Sequence, residues 1–295
     1  METFISHGYQ VCENFFEKNK CKSLLYEAIK TRDLSNIFLS EDDFHNNEKH
    51  KGVNPRPGRN LIEKLDTSFI FSSEKFNLEM TKACGNQWRV LDSKFVMGVP
   101  KKFIPKWLNI QLKDRLVANL GAYVKPEYRD ITYFQGIDYH QDIIDFPDRD
   151  SDFITAYIYL DKVGEDSAPL HLLSKSHKLG ASTFPHNLKT SINNTYIYKN
   201  DFGDEQSCEL IKLMDDGGAL YYWHCNTLHG TQPQIDDKPR ISVRILIEKN
   251  SKLINDSLVD KANNASNGSL SLKKTRLDLD DLGKATVFGN KINKI

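Results

Sequence analysis

Residues 10–31 carry apolar side chains at mixed intervals of three and four residues among Glu and Lys, which is the period of an amphipathic helix. The pattern predicts one or two helices there, and a second helical pattern covers residues 73–83. Between them, residues 40–60 are polar and rich in Asn, Pro and Gly, which indicates a long loop. Loops of this length tend to be lids or disordered segments, so we interpret this one as a lid.

From about residue 117 the pattern changes to short apolar or alternating runs separated by turn residues, which predicts strands. The predicted strands are Ala118–Val124, Ile131–Gly136, Phe153–Leu160, Leu170–Leu173, Ala219–Trp223 and Ile241–Glu248, with an earlier one at Trp88–Met97. The last 45 residues are rich in Asn, Ser, Lys and Asp and predict a tail or a loosely packed cover. The fold class expected is mainly β with flanking α-helices.

Two of these strands have one polar face and one aliphatic face. In one strand Thr155, Tyr157 and Tyr159 alternate with Ala156, Ile158 and Leu160. In the last strand Arg240, Ser242 and Arg244 alternate with Ile241, Val243 and Ile245. A small barrel that holds a polar ligand would turn the polar faces inward.

Composition narrows the class of protein. The 39% hydrophobic content supports a sizeable core, and the 27% charged content argues against a membrane protein. Forty basic and forty acidic residues cancel, so nucleic acid is not an expected partner. The five scattered cysteines, together with an N-terminus that has no apolar signal-like run, predict free thiols and a cytoplasmic protein. The sequence leaves the oligomeric state open.

The segment His140-Gln141-Asp142 is the first candidate for metal chemistry. In an extended backbone its histidine and its carboxylate lie on the same side of the chain and can reach one metal ion. A His-X-Asp triplet alone is weak evidence, because it also occurs by chance as a surface pair. A second histidine is required.

The candidates among the later histidines are His171, His177, His224 and His229. The context favours His229, which follows the Gly217-Gly218 strand and precedes Arg240 by eleven residues. Two histidines and one carboxylate on one face leave positions open on an octahedral iron. His177 is interpreted as structural, and His224 as a packed residue or a pocket wall.

Arg240 is the candidate partner for a buried carboxylate, because a guanidinium binds a carboxylate with two parallel hydrogen bonds. Ser242 lies on the same strand face and can donate a further hydrogen bond. Arg244 shares that face, and we interpret it as a member of a structural ion pair.

The chain resembles the phytanoyl-CoA dioxygenase family of iron(II)/2-oxoglutarate oxygenases over about residues 85–250. The resemblance rests on an ordered set of segments: His140-Gln141-Asp142, Ser167 to His177, Gly217-Gly218-Ala219-Leu220, and His229 with Arg240. It implies a double-stranded β-helix (jelly-roll, cupin-like) core, with His140, Asp142 and His229 as catalytic iron ligands and Arg240 as the anchor of 2-oxoglutarate. It also implies that Lys125, Tyr133 or Tyr157 lines the cosubstrate pocket, beside the Ser242 that the strand face of Arg240 presents. One departure is that Ser174-Lys175-Ser176-His177 replaces a Pro-Gly-Ser-His turn. Asp142 is retained, and this carboxylate disfavours halogenation.

The expected organisation is a single oxygenase domain over residues 1–295. Residues 1–100 form a mostly helical part with the lid loop, residues 101–250 the jelly-roll core, and residues 251–295 the polar tail. The cofactors expected are Fe(II), 2-oxoglutarate and O2.

The expected reaction oxidises an unactivated C–H bond of a small, carboxylate-bearing metabolite, by hydroxylation or by cyclisation or desaturation in natural-product biosynthesis. Arg56, Arg59 and Trp223 are the candidate substrate-binding residues. Two alternatives stay open: a hydroxylase of peptide or protein side chains, and a jelly-roll binding module without catalysis.

Overall fold

The computed structural model describes residues 2–30, 32–46, 60–112, 118–146, 148–190, 194–250, 256–266 and 277. Its strands are Tyr9–Cys12 (β1), Trp88–Gly98 (β2), Ala118–Asn119 (β3), Thr132–His140 (β4), Phe153–Tyr159 (β5), Leu170–Leu173 (β6), Asn187–Thr190 (β7), Thr195–Lys199 (β8), Glu205–Leu213 (β9), Leu220–His224 (β10), His229–Thr231 (β11) and Arg240–Lys249 (β12). Its α-helices are Glu2–His7 (α1), Lys18–Ile29 (α2), Glu41–Asn46 (α3), Ser68–Phe71 (α4), Glu74–Cys84 (α5), Lys106–Gln111 (α6) and Leu258–Asn264 (α7).

The strands form one continuous sheet in the order β1-β10-β5-β12-β2-β4-β11-β6-β9-β8-β7, with β3 pairing beside β4. Strand β4 belongs to both halves of the sheet, because Thr132 to Phe134 pair with β2 and Ile137 to His140 pair with β11. Side chains of β5 and β10 pack against those of β6 and β9 in one apolar cluster, so the two halves face each other. This is the double-stranded β-helix, or jelly-roll, that was expected.

The two faces of β5 and β12 point as the alternation predicted. Ala156 and Ile158 lie in the large core between the sheet and the helices, and Val243 of β12 joins them. Tyr157 and Tyr159 lie in the inner cluster between the two halves of the sheet. The inward side of the barrel is therefore the polar and aromatic side.

Several predicted elements need correction. The strand predicted over Ala118–Val124 is wrong beyond Asn119, because Gly121–Tyr123 form a 3-10 turn. The helical interpretation of residues 10–31 is right for α2, but the first residues of that range belong to β1, whose Tyr9 to Cys12 pair with β10. Strand pairing at a sheet edge overrides the local helical period there.

The lid loop and the tail are only partly covered by the described residues. Within residues 40–60, α3 is a helix rather than loop, and residues 47–59 lie outside the description. Within the tail, α7 buries Leu258, Val259 and Ala262 against the body of the protein, so this segment is a packed element. Among the described residues, no helix has the length and apolar character required to cross a membrane.

The buried His224 predicts a dependence of stability on pH. Its Nε2 lies 3.0 Å from Asn263 Oδ1 and its Nδ1 accepts from the Asn226 amide at 3.2 Å, which satisfies a neutral ring. Burial lowers the pKa of His224 from 6.5 to about 3. The unfolded chain therefore binds one more proton between these values, and stability is lost as the pH falls through this window.

We expect the free energy of unfolding to fall by up to about 1.4 kcal/mol per pH unit below about pH 6.5 from this group alone. Urea unfolding at about pH 7 and about pH 5.5 measures the slope, and the variant His224→Gln should show a smaller one. Equal slopes in the wild type and in His224→Gln would show that protonation of His224 does not cause the loss of stability.

Candidate metal centre

His140 and Asp142 are held at the end of β4. His140 is the last residue of the strand, Gln141 remains extended, and Asp142 begins a 3-10 turn that ends at Asp145. The buried amide of Gln141 donates to the carbonyls of Gly180 and Asn226, both at 2.8 Å. Gln141 therefore points away from its two neighbours and anchors the segment that presents them.

His229 is brought to this pair by strand pairing. It opens β11, and its Cα is the direct partner of His140 across the ladder. Gly230 permits this close approach, because a Cβ at that position would lie 2.6 Å from the carbonyl oxygen of Ile137. The adjacent glycine is thus a steric requirement of the site.

The three side chains form one cluster whose ligand atoms all lie within 4.8 Å of one another. His140 Nδ1 lies 2.8 Å from the carbonyl oxygen of Asp138, and His229 Nδ1 lies 3.0 Å from that of Thr227. Each Nδ1–H donates to its carbonyl, so the lone pair of each ring is on Nε2. Burial lowers the pKa of His229 to about 3, so its ring is neutral and free to bind a metal at neutral pH.

The Asp142 carboxylate is held by three donors. Oδ2 accepts from Thr155 Oγ1 at 2.5 Å and from the Trp223 indole at 3.1 Å, and Oδ1 accepts from Arg244 Nη2 at 2.5 Å. Burial alone would raise the pKa of Asp142, but the Arg244 guanidinium and the hydrogen bond from Thr155 hold it well below its usual range. Asp142 is therefore an ionised, oriented carboxylate inside the barrel.

This donor set fits a non-haem iron(II) site. Two imidazole nitrogens and one carboxylate oxygen on one side of a metal are the facial triad, which leaves positions open for other ligands. The hydrogen bonds from the rings to backbone carbonyls, and from three side chains to the carboxylate, are the outer contacts that such ligands require.

The Thr155 hydroxyl gives a specific prediction for metal binding. Thr155→Val keeps the branched shape but removes one donor to Asp142, so iron(II) affinity should fall by about 10–100-fold. Anaerobic calorimetric titration with iron(II) measures this, and the exposed Thr190→Val on β7 is the matched control. Wild-type affinity in Thr155→Val would mean that the hydroxyl does not orient the carboxylate.

A second polar region lies along the inner face of β12. Arg240 is only 3% exposed, and its Nη1 donates to the carbonyl of Ala168, but its Nε and Nη2 have no hydrogen-bond partner among the described residues. The Ser242 hydroxyl and the Tyr157 hydroxyl are likewise buried, and no residue in the described ranges forms a hydrogen bond with either. Unpaired buried donors around a guanidinium are costly unless a ligand satisfies them, and the ligand that fits is a carboxylate.

The sequence of the chain matches a family of known proteins over most of its length. The model of the family described as phytanoyl-CoA dioxygenase (PhyH) matches residues 4–242, which is more than half of the chain. The chain belongs to the phytanoyl-CoA dioxygenase family. It is therefore an oxidoreductase of the non-haem iron class, and its cofactors are iron(II), 2-oxoglutarate and dioxygen. A comparison with curated protein sequences finds no significant match.

Solved structures resemble the chain in fold at low sequence identity. EvdO2 from Micromonospora carbonacea var. aurantiaca is 14% identical, with 86% of this chain and 91% of that chain covered and a TM-score of 0.50. EctD from S. alaskensis is 12% identical, with 91% and 80% covered and a TM-score of 0.47. The epimerase SnoN, in complex with Fe3+, alpha ketoglutarate and nogalamycin RO, is 14% identical, with 84% and 81% covered and a TM-score of 0.45. The EvdO2 likeness supports the fold of this family member.

The other predicted site residues fall into three groups. Trp223 and Tyr157 lie beside the cluster, with ring centroids of Trp223 at 4.9 Å from His229 and 5.7 Å from Tyr157. Tyr133 is the register partner of Met97 and lies in the core between the sheet and the helices, where its hydroxyl accepts a hydrogen bond from an arginine. The Lys125 ammonium donates a hydrogen bond to an asparagine side chain at the surface. The structure does not bring Tyr133 or Lys125 to the cluster. Arg56 and Arg59 lie outside the described residues.

The three other candidate histidines lie away from the cluster. His171 is buried against the Tyr139 hydroxyl at 3.4 Å, His177 lies 3.2 Å from the carbonyl oxygen of Ile5, and His224 contacts Asn263. Neither the donation from Thr155 to Asp142 nor the position of Lys94 near this site was predicted from the sequence. A signal was present for Lys94, because it is a charged residue directly before the apolar, buried end of the strand, Phe95 to Gly98.

Proposed function

We propose that the chain oxidises an unactivated C–H bond of a small, carboxylate-bearing metabolite, by hydroxylation or by oxidative cyclisation or desaturation. His140, Asp142 and His229 hold the iron, and Arg240 with Ser242 binds the distal carboxylate of 2-oxoglutarate. The observation that carries the proposal is the pairing of the triad with a buried guanidinium that has two unpaired donors on the same barrel interior.

The side chains of the barrel divide the work of binding and orientation. Iron(II) and 2-oxoglutarate, when bound, supply the oxidation: 2-oxoglutarate and O2 are converted to succinate and CO2 as the substrate is oxidised. Thr155, Trp223 and Arg244 keep the Asp142 carboxylate in one orientation. Tyr157 packs with Trp223 and contributes to an aromatic wall that excludes water from the pocket.

Carboxylate recognition at Arg240 accounts for the cosubstrate and not for the metabolite. The substrate proposal is supported by the enclosed, polar inner face of β5 and β12, which suits a small polar molecule better than a peptide. Small pockets of this kind use few charged groups to orient a ligand.

Succinate release by purified protein with iron(II), 2-oxoglutarate and air tests the proposal. We expect slow release without substrate, abolition by a chelator, and stimulation by a pool of small carboxylates but not by a pool of unstructured peptides. Stimulation by peptides alone would support a peptide hydroxylase instead. If the protein binds iron and 2-oxoglutarate but releases no succinate, the result would support a binding module without catalysis.

A further inference from the structure

Lys94 and Arg244 lie directly opposite each other on neighbouring strands. Their Cα atoms are register partners in the β2–β12 ladder, and Tyr157 is the register partner of Arg244 on the other side, in β5. Directly opposed residues in antiparallel strands point to the same face. Arg244 contacts Asp142, so this row of three residues faces the barrel interior beside the metal ligands.

Of the two cations, only Arg244 forms ion pairs with side chains in the part of the chain that the structure describes. Its Nη2 donates to Asp142 and its Nη1 lies 3.6 Å from Asp92 Oδ2. Among the described residues, none forms an ion pair or hydrogen bond with the Lys94 ammonium. Two like charges directly opposite each other destabilise a sheet, so this arrangement costs stability unless an anion joins it.

The surroundings of Lys94 fit a binding role. Burial, and then the charge of Arg244, lower the pKa of Lys94 from 10.5 to about 8, against the opposing effects of Asp92, Asp145 and Asp142. The ammonium therefore still carries its charge at neutral pH. Asp142 is committed to Arg244 and to the metal, and Asp92 and Asp145 are exposed, so none of these three carboxylates is a buried counterion left for the Lys94 ammonium.

We propose that Lys94 and Arg244 form an anion subsite that binds a carboxylate of the oxidised substrate beside the metal centre. The inference rests on the proposed function and adds to it the residues that select the substrate. A carboxylate at this position can accept from the Lys94 ammonium and from guanidinium N–H groups of Arg244 that Asp142 does not use.

The cosubstrate is the competing occupant, and the structure gives it another place. Arg240 lies four residues from Arg244 on the same face of β12, and it has two buried donors without partners. One carboxylate of 2-oxoglutarate satisfies Arg240, and its 2-oxo acid end belongs at the open positions of the metal. The Lys94–Arg244 subsite is then left for a carboxylate from a second molecule.

Bromide diffraction tests the subsite directly. Crystals of the iron(II) and 2-oxoglutarate complex, grown without oxygen, are soaked in sodium bromide and measured at the bromine absorption edge. We expect an anomalous peak between Lys94 Nζ and Arg244 in the wild type and in the exposed control Lys162→Met, and none in Lys94→Met. Absence of the peak in the wild type, or 2-oxoglutarate density at the subsite, overturns the inference.

Kinetics provide the second readout. For a small carboxylate that stimulates succinate release, Lys94→Met should raise the KM roughly tenfold or more, while the Kd of 2-oxoglutarate stays near that of the wild type. The subsite is contradicted if the primary amide of the acid stimulates succinate release to the same extent as the acid itself. It is also contradicted if Lys94→Met weakens the affinity for 2-oxoglutarate. Failure of the protein to bind iron or 2-oxoglutarate would instead overturn the proposed function, so the two failures are distinguishable.

Discussion

Replacing His229 by alanine is expected to lower iron(II) affinity by more than about 100-fold, because loss of an outer contact to a ligand alone costs about 10–100-fold. His229 Nε2 lies 3.5 Å from Asp142 Oδ2, and its Nδ1 is occupied by the carbonyl of Thr227, so Nε2 is the atom whose loss matters. Iron content after anaerobic loading and desalting, together with succinate release, measures the effect. Both should fall to background.

The matched control is His45→Ala, which removes an exposed imidazole from α3. It should keep the iron content and the succinate release of the wild type. Stoichiometric iron in folded His229→Ala would show that the metal is held by a different set of residues, and would remove the basis of the proposed chemistry.

Replacing Arg240 by methionine is expected to raise the KM for 2-oxoglutarate about 30-fold or more, which corresponds to the roughly 2 kcal/mol or more lost when one partner of a buried charge pair is truncated. Methionine fills a similar volume, so the packing of the barrel interior around this position should be largely retained. Saturating 2-oxoglutarate should restore much of the turnover, because the metal ligands are untouched. Succinate release over a range of 2-oxoglutarate concentrations provides the measurement.

Two further variants sharpen this test. Arg240→Lys keeps the charge but not the paired N–H geometry, so its KM should lie between those of the wild type and Arg240→Met. Arg89→Met removes an arginine whose side chain is 62% exposed and should leave the KM unchanged. An unchanged KM in Arg240→Met would show that another residue anchors the cosubstrate.

The alternation of side chains predicted the barrel interior because a strand repeats every two residues. Thr155 and Tyr157 were expected on the polar face of β5, and the structure places them inward. The same period placed Arg240 and Arg244 on one face of β12. These strands are long, and their polar and aliphatic faces differ sharply. The local pattern of side chains was therefore sufficient to predict which face points inward.

The strands β7, β8 and β9 were not predicted. Strand β7 is largely exposed, and β8 and β9 bury only part of their residues, so their hydrophobic alternation is weak. They form the end of the sheet beyond β6 and are held by backbone pairing with each other. Backbone hydrogen bonds leave little trace in the pattern of side chains.

The sequence by itself determined the types and order of the groups: a His-X-Asp segment, a later histidine and an arginine eleven residues beyond it. Only the tertiary structure decided that His229 pairs with His140 while the other later histidines lie elsewhere. It also decided that Arg244 binds Asp142 and that Lys94 lies opposite Arg244. The physical reason is register, since shifting a strand by one residue reverses every face, and the pairing partners of β12 are far away in the chain.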